Sequence, residues 1–253
     1  MRPAGWTRPP RGRLTFTAEL TDWSRRRLEA IAKPVCYPAT ANMVNEGDPA
    51  PPVYILESGV VKVQRTAQGD SSPMILDLGG PGDVLGVEDC LAGRPSHAAF
   101  VTTKPVKALE IPQRAFFTFL RDNHQAMAAI GQILAHRIRL RDTALAFSSV
   151  KVRSRLIAFL VRLLAVHGEP GKDGIVIDIG LNHSDIASAI GASVASVTAE
   201  MVKLKDEGYI ATGYKTIHVK KPLRPDVSPP LVTENLPIDG LAHRLPGVTS
   251  RQC

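Results

Sequence analysis

The stretch Asn182-His183-Ser184-Asp185-Ile186-Ala187-Ser188-Ala189-Ile190-Gly191 constrains the fold of this chain more than any other. Asn182 offers a side-chain oxygen to the orphan N–H groups that open a helix, and Asp185 stands where a capping-box acid belongs. That acid also complements the positive end of the helix dipole. Ile186, Ala187 and Ile190 recur at helical spacing as a buried face. Gly191 permits the left-handed residue that ends a helix and redirects the chain. Ser193 then caps a second helix with apolar positions Val197, Met201 and Leu204. Two short helices with so tight a joint cross steeply, and the small Ala187 lets them approach.

The flanking segments extend the pattern. Lys151–His167 is an amphipathic helix with Leu156, Ile157, Leu160, Leu163 and Leu164 facing a core, and Pro170–Gly174 turns into a strand Ile175–Ile179. A hairpin follows the pair: Tyr209–Ala211, a turn at Gly213, then Thr216–Val219. A helical hairpin in any globular core would show the same two helices. The order strand, capped helix, glycine turn, capped helix and basic hairpin favours a winged helix-turn-helix.

In that motif the first exposed residues of the second helix enter the major groove. Here they are Ser193, Val194, Ala195, Ser196, Thr198 and Ala199, with Lys203, Lys205, Lys215, Lys220 and Lys221 as phosphate contacts. No Arg, Gln or Asn leads the helix to make a bidentate base contact. Ser, Thr and apolar groups are left to read thymine methyls, or the choice falls to DNA shape. The net charge of +7 suits a polyanionic partner such as double-stranded DNA, although a solvated basic surface has the same sign.

Upstream, between Val35 and Ile111, the texture is all β. The runs Val53–Leu56, Val60–Val63, Met74–Leu78, Phe100–Thr103 and Val106–Ile111 are separated by turn clusters. These include Glu46-Gly47-Asp48-Pro49, Gln68-Gly69-Asp70 and Gly79-Gly80-Pro81-Gly82-Asp83, and the pattern reads as an antiparallel barrel or jelly roll. Thr17–Ala32 precedes it as a helix with apolar positions Leu20, Trp23, Leu28 and Ile31. Pro112–Phe147 follows as one long helix. Its residues Ala126, Ile130, Ile133, Arg137, Leu140, Ala144 and Phe147 alternate four and three apart, a heptad seam broken by Arg137. Packing on its own domain is the alternative to pairing with a second copy.

The fold class is therefore α+β. Its expected parts are a disordered segment over 1–16, a β-barrel sensor with leading helix over 17–111, and a dimerising helix over 112–147. A winged helix-turn-helix over 148–221 and a disordered Pro-rich tail over 222–253 complete it, with Ser148-Ser149 as a hinge.

Three cysteines, Cys36, Cys90 and Cys253, lie far apart and show neither a disulfide framework nor a metal-site spacing. Cys36 and Cys90 are expected to be buried and inert. No apolar run reaches the roughly 18–20 residues that span a bilayer, so a cytoplasmic protein without membrane partners is expected. Phosphate-loop, HExxH and nucleophile-elbow motifs are missing, so the expectation is not an enzyme.

On these motifs the chain resembles the Crp/Fnr superfamily of bacterial transcription regulators over residues 17–221. The resemblance lies in Glu46-Gly47-Asp48, Val53-Tyr54-Ile55-Leu56, Ser58-Gly59-Val60-Val61-Lys62-Val63 and Gly80-Pro81-Gly82-Asp83-Val84-Leu85-Gly86. Distally it lies in His183–Gly191 and Glu207-Gly208-Tyr209-Ile210. It implies a cyclic-nucleotide-binding-like sensor domain and a homodimer on an inverted-repeat operator. It further implies an effector acting through the long helix, and RNA polymerase as a partner.

The chain also departs from the family. Members that bind cyclic AMP place Glu directly after the glycine at Gly86 and later offer Arg-Ser for the phosphate; here Val87 intervenes before Glu88, and the loop reads Arg94-Pro95-Ser96-His97. Only Arg94 or His97 remains as cation for a buried phosphate, which argues against simple cyclic AMP binding. Family iron–sulfur sensors carry N-terminal cysteines absent here. His97 as a haem ligand is disfavoured for want of a partner ligand. Arg137, Arg139 and Arg141 face either an anionic effector or solvent. Recognition helices in the family commonly carry Glu and Arg where Ala195 and Ala199 stand, which leaves a module with weak, non-specific DNA binding as the rival reading.

Overall fold

The computed structural model describes residues 14–66 and 73–224. The segments 1–13 and 225–253, the Gln68-Gly69-Asp70 turn and Cys253 lie outside the described residues, as does the side chain of Phe147. The chain divides into two compact units, Met1–Ile138 and Arg139–Cys253.

In the first unit a 3-10 turn, Phe16–Ala18, leads to α1, Asp22–Ile31, capped by Thr21, whose hydroxyl accepts from the Ser24 N–H at 3.2 Å. Leu20 and Leu28 are buried, whereas Trp23 and Ile31, read as core positions from spacing, are 54% and 37% exposed. Eight strands follow: β1 Lys33–Tyr37, β2 Asn42–Val44, β3 Val53–Ser58, β4 Val61–Arg65, β5 Met74–Gly79, β6 Val84–Leu85, β7 Ala99–Thr102 and β8 Val106–Ile111. They form two antiparallel sheets, ordered β1-β8-β3-β6 and β2-β7-β4-β5. This is a jelly-roll sandwich.

Alternation along the strands sets two cores. Tyr54 and Leu56 of β3 join Val61, Val63, Leu85 and Phe100 between the sheets. Val53 and Ile55, one residue out of phase, point the other way into a core shared with Leu109, Ile111, Phe116 and Leu120. A strand covered on both faces reads as a continuous apolar run, which is why Val53-Tyr54-Ile55-Leu56 shows no polar alternation. In β4 the burial alternates instead, as for a sheet with one wet face.

Two corrections to the sequence reading arise in this unit. The segment from Val35 to Ile111 is not all β: a short helix α2, Val87–Ala92, starts at Gly86 and carries Glu88 and Asp89 in its first turn. The long helix is also two helices, α3 Gln113–Arg121 and α4 His124–Ala146. Asn123 makes the break. Its Oδ1 accepts from the Ala126 N–H at 3.1 Å, and its Nδ2 donates to Ser24 Oγ at 2.6 Å, tying the joint to α1. Cys36 is exposed while Cys90 is buried, because β1 is an edge strand and α2 packs inward.

The second unit contains α5 Val152–His167, β9 Gly168–Gly171, β10 Gly174–Ile177, α6 His183–Ile190, α7 Val194–Asp206, β11 Ile210–Gly213 and β12 Thr216–Val219. Its antiparallel sheet runs β11-β12-β10-β9. Gly168–Gly171, which follows the expected helix and overlaps the expected turn Pro170–Gly174, pairs as a strand with β10. Leu156, Leu160, Ile186, Val197, Met201 and Leu204 are buried.

Candidate DNA-binding face and effector region

The α6–α7 joint is built as its local chemistry requires. Asn182 Oδ1 accepts from the Asp185 N–H at 2.8 Å, and Asp185 Oδ2 accepts from the Asn182 N–H at 3.0 Å, closing a reciprocal cap. Gly191 ends α6 at φ 63°, a left-handed conformation that costs a residue with Cβ about 1 kcal/mol. Arg155 of α5 donates to the Ile190 and Gly191 carbonyls at 2.8 and 2.9 Å, a cation on the negative end of the helix. Ser193 Oγ accepts from the Ser196 N–H at 3.1 Å to open α7. The two axes turn by 108°, within the range of helix-turn-helix pairs.

Three faces of α7 have different company. Val197, Met201 and Leu204 are buried. On the flank, Glu200 pairs with Lys203 at 2.8 Å and with Arg153 of α5 at 3.6 Å; Arg153 also binds Glu207. That guanidinium holds the Glu207 carboxyl below the usual carboxylate range, chiefly by hydrogen bonding. The third face is open: Val194 is 47% and Val202 50% exposed, with Ala195, Ala199 and Lys205 beside them.

The sequence-derived DNA contacts therefore fall into groups. Val194, Ala195 and Ala199 stand on the open face. Ser193 and Ser196 hydroxyls are joined to each other at 2.8 Å in the cap, and Thr198 Oγ1 is bonded to His183 Nδ1 at 3.0 Å. Lys203 is engaged by Glu200 across an exposed pair, a weak tie that phosphate can displace. Lys220 is exposed, and Lys215 sits at the hairpin tip at φ 54°, over the ring of Tyr214. Lys221, by contrast, donates to the Glu207 carbonyl at 3.0 Å and lies over Tyr209, so it closes the C-terminal end of α7. Sequence reasoning missed Val202 and Tyr214, the latter 89% exposed. The helical repeat placing Val202 eight residues after Val194 was the available signal.

In the first unit the expected effector residues do not form one cluster. Val87 is fully buried in the helix-side core. Arg94 and Arg141 are exposed. Ser96 and His97 converge on buried Asp89, which sequence reasoning missed: His97 Nδ1 lies 2.8 Å from its carboxylate and Ser96 Oγ lies 3.4 Å away. Glu88 faces Arg137. The Arg137 side chain is 13% exposed; it donates to Glu88 at 2.8 Å and to the Val84 carbonyl at 2.8 Å, and lies 3.5 Å from Asp77. Burial alone would lower its pKa, but Glu88, Asp77 and Asp83 outweigh it and raise the value. Gly86 holds φ 81°, which L side chains rarely adopt, and a Cβ there would lie a tight 3.0 Å from the Pro52 carbonyl.

The expected seam of α4 is largely occupied. Ala126, Ile130 and Ile133 are buried in the core against β3 and β8, Arg137 is ion-paired, Leu140 is half-buried and Ala144 exposed. A second stripe with the same four-three spacing runs beside it. Met127 (36% exposed), Gly131, half-buried Leu134, Ile138 (58%) and Leu145 (72%) face outward, interrupted by Arg141. Among the described residues, no group of three or more His, Cys, Asp or Glu could hold a metal ion, and no single helix is long and apolar enough to cross a membrane.

Comparison with known proteins matches residues 34–123 to the cyclic nucleotide-binding domain and residues 154–224 to the Crp-like helix-turn-helix domain. The chain is 32% identical over 180 residues to the global nitrogen regulator of Nostoc sp., covering 70% of this chain and 80% of that protein. It is 25% identical over 186 residues to the CRP-like cAMP-activated global transcriptional regulator of Mycobacterium tuberculosis, covering 73% and 83%. In fold it is similar to the c-di-GMP responsive global regulator CLP of Xanthomonas campestris, with a TM-score of 0.68 at 19% identity over 80% of this chain and 100% of that one.

Proposed function

The chain belongs to the Crp/Fnr superfamily of DNA-binding transcription regulators, and on that premise we propose that it acts in the cytoplasm as a homodimer on an inverted-repeat operator, in contact with RNA polymerase. The observation that carries DNA binding is the open face of α7, presented across a 108° joint, with Lys205 on the helix itself and Lys215 and Lys220 on and just after the hairpin that follows. The dimer forms through the outward stripe of α4, Met127, Gly131, Leu134, Ile138 and Leu145, because the neighbouring stripe is taken by the chain's own barrel. An inverted repeat of this kind calls for two recognition helices about one helical turn of DNA apart.

The sensor domain is of the cyclic nucleotide-binding type. Its Glu88 is held by Arg137 and its His97 by Asp89. A cyclic phosphate entering there would meet the buried Asp89 carboxylate, with Arg94 turned to solvent. This supports an effector other than simple cyclic AMP, acting on α4 through Arg137.

Retention of genomic fragments by the full chain, followed by sequencing, tests the proposal. One inverted repeat should be enriched, and fluorescence anisotropy should show it bound far more tightly than random duplex. The second reading, a module with weak, non-specific DNA binding, is favoured by the lack of Arg, Asn or Gln in α7. It requires no enriched fragment and binding lost between about 50 and 200 mM salt.

A further inference from the structure

We propose that the operator half-site is read through thymine methyl groups, packed against Val194, Ala195, Ala199 and Val202; this presupposes the DNA-binding role proposed above. These four exposed side chains place methyl groups along the open side of α7, with Thr198 between Val194 and Val202. At a rise of about 1.5 Å per residue they span about 12 Å, enough to face roughly three or four base steps.

Lys205 apart, the polar side chains around that face already have partners within the protein. The Ser193 and Ser196 hydroxyls bond each other in the cap, Thr198 Oγ1 is bonded to His183, and Glu200 turns to Arg153 and Lys203 on the flank. Buried in a groove without partners, base-edge donors and acceptors would lose their water for nothing. The only apolar group in the major groove is the C5-methyl of thymine. Two valines half exposed to water on a helix otherwise well packed are explained by that partner. Lys205, Lys215 and Lys220 supply register through phosphates, with no sequence information of their own.

The experiment uses the full chain and the duplex it selects from a random pool. A second copy of that duplex carries uracil in place of thymine, which removes the methyl and leaves every hydrogen-bonding group in place. Affinity at fixed salt should fall about three- to fourfold for each contacted methyl. In the double variant Val194→Ala, Val202→Ala the penalty for uracil should shrink, since alanine keeps the helix but withdraws the two larger contacts and leaves those of Ala195 and Ala199. Equal binding of the two duplexes by the unsubstituted protein overturns methyl reading while leaving DNA binding intact. A uracil penalty that persists undiminished in the double variant assigns it to DNA shape and also overturns it. Failure to select any duplex removes the regulator proposal and this one with it.

Discussion

Replacing Ile138 by alanine should dissociate the dimer without unfolding the chain, whereas replacing Ile133 should do the reverse. The two residues lie five apart on α4, yet Ile138 is 58% exposed and Ile133 only 7%. Fully burying an isoleucine side chain is worth about 1.5–3 kcal/mol. The part of Ile138 that a single chain leaves in water is therefore worth about 1–1.5 kcal/mol when a second copy covers it. A twofold interface loses this at both copies, so Ile138→Ala should weaken dimerisation by about 2–3 kcal/mol, or roughly 30- to 150-fold in Kd. Ile133→Ala instead opens a cavity in the helix-side core beside Ile130, at a cost of about 2–5 kcal/mol in folding. Sedimentation equilibrium over a concentration series reads the first effect, and urea unfolding at fixed concentration reads the second. A dimer unchanged by Ile138→Ala, or folded monomers from Ile133→Ala, would show that the wrong stripe has been assigned. Loss of the dimer should also weaken operator binding by removing the second half-site.

Arg137→Met should destabilise the first unit by about 3 kcal/mol, because Glu88 and Asp77 lose their cation inside a nearly closed site; thermal unfolding of the full chain measures it, and an unchanged midpoint would refute the tie. Cys36 should react with a thiol reagent in the native protein and Cys90 should not, since burial pushes the Cys90 thiol up to about 11; peptide mapping after brief labelling decides, and equal labelling would contradict the packing of α2. The Arg153–Glu207 pair makes a small contribution that depends on pH. Glu207 has its folded pKa below its unfolded value, so the contribution is complete above the unfolded pKa and is lost as pH falls through the folded one. Glu207→Gln should therefore lower stability slightly near neutral pH and converge with the unsubstituted chain in the acid limb, as a pH series of urea midpoints would show.

Much of the DNA-binding unit was legible because its determinants are local. Asn182, Asp185, Gly191 and Ser193 act over three or four residues, and caps and turns depend on little else. The strands of the barrel were legible where turn clusters bounded them, and missed at β1, β2 and β6, where prolines or short length hid the pattern. The helix α2 was masked by its β surroundings, although Gly86, Glu88 and Asp89 already marked a helix start. At the candidate site, the open face of α7 followed from periodicity. The engagement of Lys203 and Lys221 did not, because their partners were fixed by other elements.

From its residues alone the chain settled which segments turn, cap and alternate, since steric limits on the backbone and hydrogen bonding of helix ends operate within a few residues. Only the tertiary structure decided which of two overlapping apolar stripes on α4 meets the barrel, and that Arg137 answers to carboxylates some fifty to sixty positions earlier in the chain. Both stripes satisfy the same helical period, and periodicity cannot rank them. The selection comes from packing against β3 and β8 and from the need to pair a buried charge, and neither partner is a neighbour in sequence.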